Sequence, residues 1–323
     1  MSASSEPVRG GGILSRIRGY ARGSRNLRRW WGAGMGVMNT MDERNLGLIA
    51  AGTGFFAMLA LFPGVAALIA IWGLVADPAM VQAQLVLVER LVPEDAYEIF
   101  DDQLTRLTGA EAGTLGWATV ISVSLSLWWA RSGVASLIRG LNAVYREEHR
   151  GPLRRIVSSI AVTLALVGMV LVALVAVVIV PILMAVLPLG EFTAWLVELS
   201  RWSVAGVTLL VGLGIIYRYG PNRRAAKVPW LSAGALVAIV VWGLGSWAFS
   251  LYLSNFGRYN EVYGSLGAVV ALLMWLYLSC YVTLLGAALN AELELRTRKD
   301  TTIGPDKPMG ERGAYVADTY IKP

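Results

Sequence analysis

The chain has 323 residues, of which 56% are hydrophobic and 15% charged. A soluble chain carries about 25% charged residues, so this composition excludes a disordered chain, a collagen-like chain and an ordinary cytosolic enzyme. One cysteine (Cys280) excludes an intrachain disulfide framework, one histidine (His149) excludes a multi-histidine metal centre, and 28 basic against 22 acidic residues leave a net charge of +6.

Residues 1–44 hold eight Arg and three acids and read as a basic cytoplasmic segment. Ile13, Ile17, Tyr20, Ser24, Leu27 and Trp31 recur at helical spacing, with arginines filling the other faces. Such a pattern predicts a helix lying on an anionic leaflet. Arg25, Arg28, Arg29, Trp30 and Trp31 form its interfacial anchor. A plain basic flank is the alternative, since Gly19 and Gly23 weaken the helix.

Six charge-free runs follow: Asn45–Ala76, Ala112–Ala130, Ile156–Gly190, Trp202–Tyr217, Val228–Gly257 and Val262–Ala291. Spanning a bilayer takes about 20 apolar residues in a helix. The reading is therefore an all-α polytopic membrane protein. Its six spans fall at about 46–76, 113–138, 156–187, 202–218, 228–254 and 262–291. The second run continues through Arg131, and the fourth is the shortest. The runs do not alternate polar and apolar residues, which argues against a β-barrel. Pro63 and Pro181 each remove a backbone donor and predict kinks in the first and third spans. No secretory signal peptide is expected, because the first run begins far from the N-terminus and is too long.

Between the first two spans, residues 77–112 read as an outer segment of short amphipathic helices. Val81, Leu85, Val88 and Val92 cover one face, and eight acids sit within 77–111. Those carboxylates invite a cation or acid/base reading, against an acidic solvated surface. Connections alternate between basic and basic-poor: 139–155 holds five Arg and 218–227 four basic residues, whereas 77–111 holds two Arg. The positive-inside rule then puts both termini in the cytoplasm of a bacterial plasma membrane. Trp72, Trp117, Trp195 and Trp202 fall near the outer helix ends, as an aromatic belt would. The tail, 297–323, carries Gly304, Pro305, Pro308 and Gly310 and reads as disordered.

Charge inside a span marks function by default. Arg131 is the clear case, about 27 Å along the helix from Gly113 by its rise, in the inner part of the bilayer. It reads as a counter-charge for an anionic headgroup, or as a side chain snorkelling to the interface. Asn142 and Tyr145 follow on the same helix. Asn255, Arg258, Glu261 and Tyr263 crowd a short outer connection and could form a polar mouth, while Asn290 and Glu292 close the last span. Arg131, Asn142, Tyr145, Asn255, Arg258, Glu261, Tyr263 and Asn290 form the candidate lipid-binding set. No catalytic residue, metal site or cofactor is expected. A GxxxxGK[ST] loop is absent, so ATP-driven transport by this chain is not expected. HExxH and GxSxG are absent too. Small residues four apart, such as Ala50/Gly54 and Gly234/Ala238, permit close helix approach. The Arg28-Arg29-Trp30-Trp31 run before a span fits a membrane anchor better than a nucleic-acid patch.

The sequence resembles the YihY/BrkB family of bacterial inner-membrane proteins over about residues 30–296. The stretches that carry the likeness are Tyr217-Arg218-Tyr219-Gly220-Pro221-Asn222-Arg223-Arg224, Pro229-Trp230, Tyr252-Leu253-Ser254-Asn255-Phe256-Gly257, Tyr263-Gly264-Ser265-Leu266-Gly267-Ala268 and Asn290-Ala291-Glu292. Leu61-Phe62-Pro63 and Leu141-Asn142-Ala143-Val144-Tyr145 add to it. The resemblance implies six helices with an outer helical segment. It also implies a link to serum resistance or to export of lipids and lipopolysaccharide precursors. A ribonuclease BN label attached to the family finds no support in one His and no metal-ligand cluster. Ala288 stands where relatives often carry Glu, and Ala60 where Ser often precedes Leu-Phe-Pro.

The leading functional expectation is passage or flipping of an anionic lipid or other amphiphile, with membrane lipids as partners and no nucleic acid. A homo-oligomer is compatible with the sequence, though no residue pattern requires one. The alternatives are a non-transporting scaffold that binds a partner protein, and a membrane-embedded enzyme using His149 or the outer carboxylates. A laterally open polar groove containing Arg131 would favour lipid handling. A solid bundle would favour the scaffold, and a pocket converging on carboxylates and His149 the enzyme.

Overall fold

A computed structural model describes residues 28–75, 112–148, 151–174, 191–223, 227, 232–255 and 265–322. Helix α1 covers residues 28–43. It is followed by α2 (Leu46–Val75), α3 (Ala112–Tyr145), α4 (Pro152–Leu174), α5 (Glu191–Tyr219), α6 (Ala233–Asn255), α7 (Ser265–Leu295) and the single turn α8 (Tyr315–Asp318). No strand occurs among the described residues. Five helices are long and apolar enough to cross a membrane, and α5 contains the shorter apolar stretch Ser203–Tyr219. The chain is an all-α polytopic membrane protein. Its large apolar side chains point outward along these helices, Val120, Ile121, Val170, Val172, Val240 and Leu244 among them. Water would make that surface costly, whereas lipid tails match it.

Three antiparallel hairpins, α2/α3, α4/α5 and α6/α7, stand side by side. Consecutive helices pack as neighbours, and α7 packs back on α2 and α3. The tightest packing gathers where α2 begins and α3 and α7 end. There Leu46, Leu141, Val144, Leu284, Leu295 and Val316 lie in one buried cluster. This is also the basic end, since Arg44, Arg146, Arg154, Arg218, Arg223 and Lys227 sit at helix ends or connections on that side. Close approach depends on small residues. A Cβ on Gly234 would overlap the Gly286 carbonyl of the facing helix, and one on Gly286 would overlap the Tyr217 hydroxyl. Tyr217 donates its hydroxyl to the Thr283 carbonyl at 2.8 Å, tying α5 to the same spot. Gly54 of the Ala50/Gly54 pair likewise lets the Tyr277 backbone approach α2.

Several expected boundaries move. Helix α3 runs seven residues past 138, to Tyr145, and α5 begins at Glu191 rather than 202. Helix α6, the fifth expected span, starts at Ala233 rather than 228, and α7 continues to Leu295. For the third span the described helix is Pro152–Leu174, so Pro181 and the rest of that span lie outside the described residues, as do residues 77–111. Pro63 lies inside α2 as expected. Three residues before it, the Ala60 carbonyl accepts a hydrogen bond from the Ser126 hydroxyl of α3 at 3.0 Å.

Two expectations about the ends are corrected. Of the proposed interfacial helix, only residues from 28 onward are described. They belong to the folded body: Ala33, Val37, Thr40 and Met41 are buried. Trp31 of the expected anchor is 76% exposed. Arg29 donates to the Leu293 carbonyl and to Thr297, so it closes the end of α7 rather than standing free as an anchor. The tail expected to be disordered is packed. Arg312, 6% exposed, donates to the carbonyls of Arg298, Lys299, Lys307 and Ala317. Val316 joins the main buried cluster, and the Ile321 N–H bonds the Leu295 carbonyl at 2.8 Å. Its glycines and prolines serve turns wrapped around one guanidinium.

Candidate functional site

Polar residues that end apolar helices at the basic end must find partners, because burial without them is costly. Asn142, near the end of α3, accepts the Asn222 N–H at 2.7 Å through Oδ1. Asn290, on α7, accepts the Gly234 N–H at 2.8 Å and donates to the Ser232 hydroxyl at 2.9 Å, which satisfies the first turn of α6. Tyr145 is buried and its hydroxyl faces Asn290. Three of the expected site residues, Asn142 and Tyr145 of α3 and Asn290 of α7, are therefore brought into one region by two helices.

Two further members of this region were not singled out in the sequence reading. Arg223 follows α5, and its guanidinium meets the Glu294 carboxylate through two bonds, 2.8 Å and 2.6 Å. The same guanidinium lies 5.0 Å from the centre of the Tyr145 ring. Thr301 of the tail also donates to Glu294. Burial acts to lower the Arg223 pKa, but the hydrogen bonds and charge of Glu294 outweigh it and raise it, so the pair is held ionised. Glu292 accepts from Thr40 of α1 and pairs with Arg296, whose other nitrogen donates to the Gly32 carbonyl at 2.7 Å. A signal for Arg223 was present, since it sits in the quoted Tyr217–Arg224 stretch.

Arg131 lies elsewhere. It is twelve residues from Thr119 and fourteen from Tyr145 in the apolar stretch Thr119–Tyr145. Arg139 lies between it and the basic end of α3. The Arg131 guanidinium is 5.9 Å from the Trp128 ring centre, and its buried Nε has no acceptor among the described residues. Arg131 and Asn142 are eleven residues apart, about three helical turns and roughly 16 Å, so they share one face of α3.

At the basic end a cavity of about 420 Å³ opens between α3 and the tail, lined by Arg44, Asn142, Ala143, Arg146, Glu147, Glu148 and Tyr315. It does not include Arg131. Glu147 accepts the Tyr315 N–H at 2.9 Å, and the Arg146 guanidinium lies over the Tyr315 ring. Burial raises the Glu147 pKa, opposed by that backbone bond and by Arg223.

Arg25, His149, Arg258, Glu261 and Tyr263 lie outside the described residues, and of Asn255 only the backbone is described. Arg28 and Trp30 are exposed on α1. Among the described residues no three His, Cys, Asp or Glu side chains converge as metal ligands would.

A family model described as Virulence factor BrkB matches residues 37–310. The chain is 28% identical over 256 residues to a Bacillus subtilis protein named "Putative ribonuclease-like protein YfkH", covering 76% of this chain and 88% of that protein. It is 34% identical over 104 residues to the UPF0761 membrane protein IL2447 of Idiomarina loihiensis, covering 32% of this chain and 36% of the relative. It is 37% identical over 100 residues to the UPF0761 membrane protein XCC0860 of Xanthomonas campestris pv. campestris, covering 31% of this chain and 23% of the relative. No solved structure matches.

Proposed function

This chain belongs to the Virulence factor BrkB family of membrane proteins, and we propose that it moves or flips an anionic lipid or other amphiphile across a bacterial inner membrane. The observation that carries this reading is Arg131. A guanidinium within an apolar span is costly in hydrocarbon, and such residues face protein, water or a bound partner. The Arg131 Nε is buried without a protein acceptor among the described residues. A lipid phosphate passing along α3 would supply one. Asn142, on the same face nearer the basic end, adds a second polar contact on the way. The basic end faces the cytoplasm in this reading, with both termini there, and the movement is not driven by ATP hydrolysis in this chain. No enzymatic step is assigned.

The test is reconstitution into liposomes containing a fluorescent anionic lipid, with leaflet exchange followed by quenching of the exposed label. Exchange should exceed that of protein-free vesicles and fall for Arg131→Ala. Equal exchange with and without protein would overturn the reading. A second reading, a non-transporting scaffold for a partner protein, is favoured by the folded tail and the close packing of the basic end.

A further inference from the structure

We propose that the cavity at the basic end is a binding site for a phospho-amine group, one that carries both a phosphate and a primary ammonium. Four observations lead there. First, Asn142 is 3% exposed, and its Oδ1 holds the Asn222 N–H. Asn142 also lines the cavity. With Oδ1 engaged, the amide nitrogen is what this residue has left to offer a ligand's acceptor atoms.

Second, Arg146 stands at a helix terminus where glycine is usual. Its N–H bonds the Ala143 carbonyl and the Glu147 N–H bonds the Asn142 carbonyl, the paired bonds that close a helix through a left-handed residue. The φ of Arg146 is 56°, which a Cβ disfavours. Glycine would close α3 without that strain, and what glycine lacks is the guanidinium that lines the cavity. Backbone strain kept at a cavity is a reason to look for function there.

Third, Arg44 and Arg146 take part in no ion pair among the described residues, unlike Arg223, Lys227 and Arg296. Two guanidinium groups and the Asn142 amide make a donor set suited to phosphate oxygens.

Fourth, the lining also holds Glu147 and Glu148. The two carboxylates cancel the two cations, so a bare anion gains little there. A ligand with a charge of each sign meets both pairs. One Glu147 oxygen already accepts the Tyr315 N–H, and Glu148 is exposed at the rim. An ammonium with N–H donors fits these carboxylates, whereas a quaternary ammonium has no N–H to donate.

The ligand is either a lipid headgroup or a free phospho-amine, and the site stands independently of whether the chain moves lipid. The test uses the full chain in nanodiscs of phosphatidylcholine, titrated calorimetrically with O-phosphoethanolamine, phosphocholine and inorganic phosphate. In parallel, native mass spectrometry follows protein from discs that mix phosphatidylethanolamine with phosphatidylglycerol. Saturable binding of O-phosphoethanolamine above the other two probes supports a site open to the free group. Retention of phosphatidylethanolamine without binding of the soluble probe supports a headgroup site. Neither result, or equal binding of phosphocholine, overturns the proposal. Arg146→Gly should weaken binding about tenfold or more while the melting temperature holds or rises, because the strain is relieved. Unchanged affinity in that variant would also overturn it. Glu148→Gln should erase the preference for the primary amine over inorganic phosphate.

Discussion

Arg223 and Glu294 form a bidentate ion pair whose side chains are 2% and 8% exposed, at 2.8 Å and 2.6 Å, joining the end of α5 to the end of α7. Neither helix packs extensively on the other, so the pair bridges two hairpins, while the Tyr145 ring of α3 lies against the guanidinium. Removing one partner leaves the other charge buried and unpaired, which costs about 3–5 kcal/mol. Glu294→Gln and Arg223→Gln should each lower the melting temperature of the detergent-solubilised chain substantially. The double variant Arg223→Met with Glu294→Leu should lose less than the sum of the two single losses, because no orphan charge remains. Thermal unfolding of all four proteins checks this.

Close backbone contact between α6 and α7 rests on Gly234 and Gly286, each of which would push a Cβ into the other's carbonyl. A Cβ on Gly286 would also meet the Tyr217 hydroxyl of α5. Gly286→Ala should destabilise by about 1–3 kcal/mol, the usual cost of overpacking, and the same change at Gly243 should have little effect, because nothing lies within 4 Å of its added Cβ. Comparing the two melting temperatures separates a packing effect from the general gain in helix propensity on replacing glycine.

How far the fold was legible follows from the solvent. Hydrocarbon forces each backbone group to be satisfied within its own helix, so uncharged runs mark helices almost directly. The run count failed where helices leave the apolar region. Arg139 did not stop α3 and Arg201 did not stop α5, because a helix continues at an interface where charge is tolerated. In the candidate site, Asn142, Tyr145 and Asn290 were legible as polar residues closing apolar helices. Arg223 was marked only by its place in the Tyr217–Arg224 stretch and Glu294 not at all, because an arginine in a basic connection looks like any other, and its partner lies 71 residues away. The tail was misread for a different reason. Arg312 is held by backbone carbonyls, and a carbonyl leaves no mark in a sequence, whereas the glycines and prolines that bend the chain around it look like disorder.

The tail should come loose in acid. Asp300 is held well below its ordinary carboxylate range by N–H donors from Thr302 and Lys307. For Asp318, burial pushes upward, but N–H donors from Arg312, Gly310 and Gly313 prevail and lower its pKa. An aspartate in an unfolded chain titrates near about 3.9. Both folded values lie below that, so their contribution is present in full above about pH 4–5 and fades as pH falls toward the folded values. Glu147 opposes the trend, since burial raises its pKa: its contribution is fullest in acid and fades as pH rises through the folded value. The two aspartates outnumber it, so hydrogen exchange over residues 298–322 should quicken, after correction for intrinsic rates, between pH 5 and about pH 3. Asp318→Asn should show fast exchange near Gly310 and Gly313 already at neutral pH, with a smaller acid response.

The side of the membrane that the basic end faces is open to direct labelling. Arg44, Arg146, Arg154, Arg155, Arg218 and Arg223 gather at that end, and the positive-inside rule assigns such an end to the cytoplasm. Cys280 is the single cysteine and is partly buried in α7, so Cys280→Ser gives a clean background. In that background, Met309→Cys places an exposed thiol on the tail, and Trp117→Cys an exposed one toward the far end of α3. A membrane-impermeant maleimide added to intact cells with a permeabilised outer membrane should modify the Trp117 variant and spare the Met309 variant. Breaking the inner membrane should make both react. The reverse pattern would turn the molecule over. Arg131 would then still lie within an apolar span, but the cavity lined by Arg44 and Arg146 would open to the periplasm, and its ligand would have to come from the outer leaflet or the space beyond it.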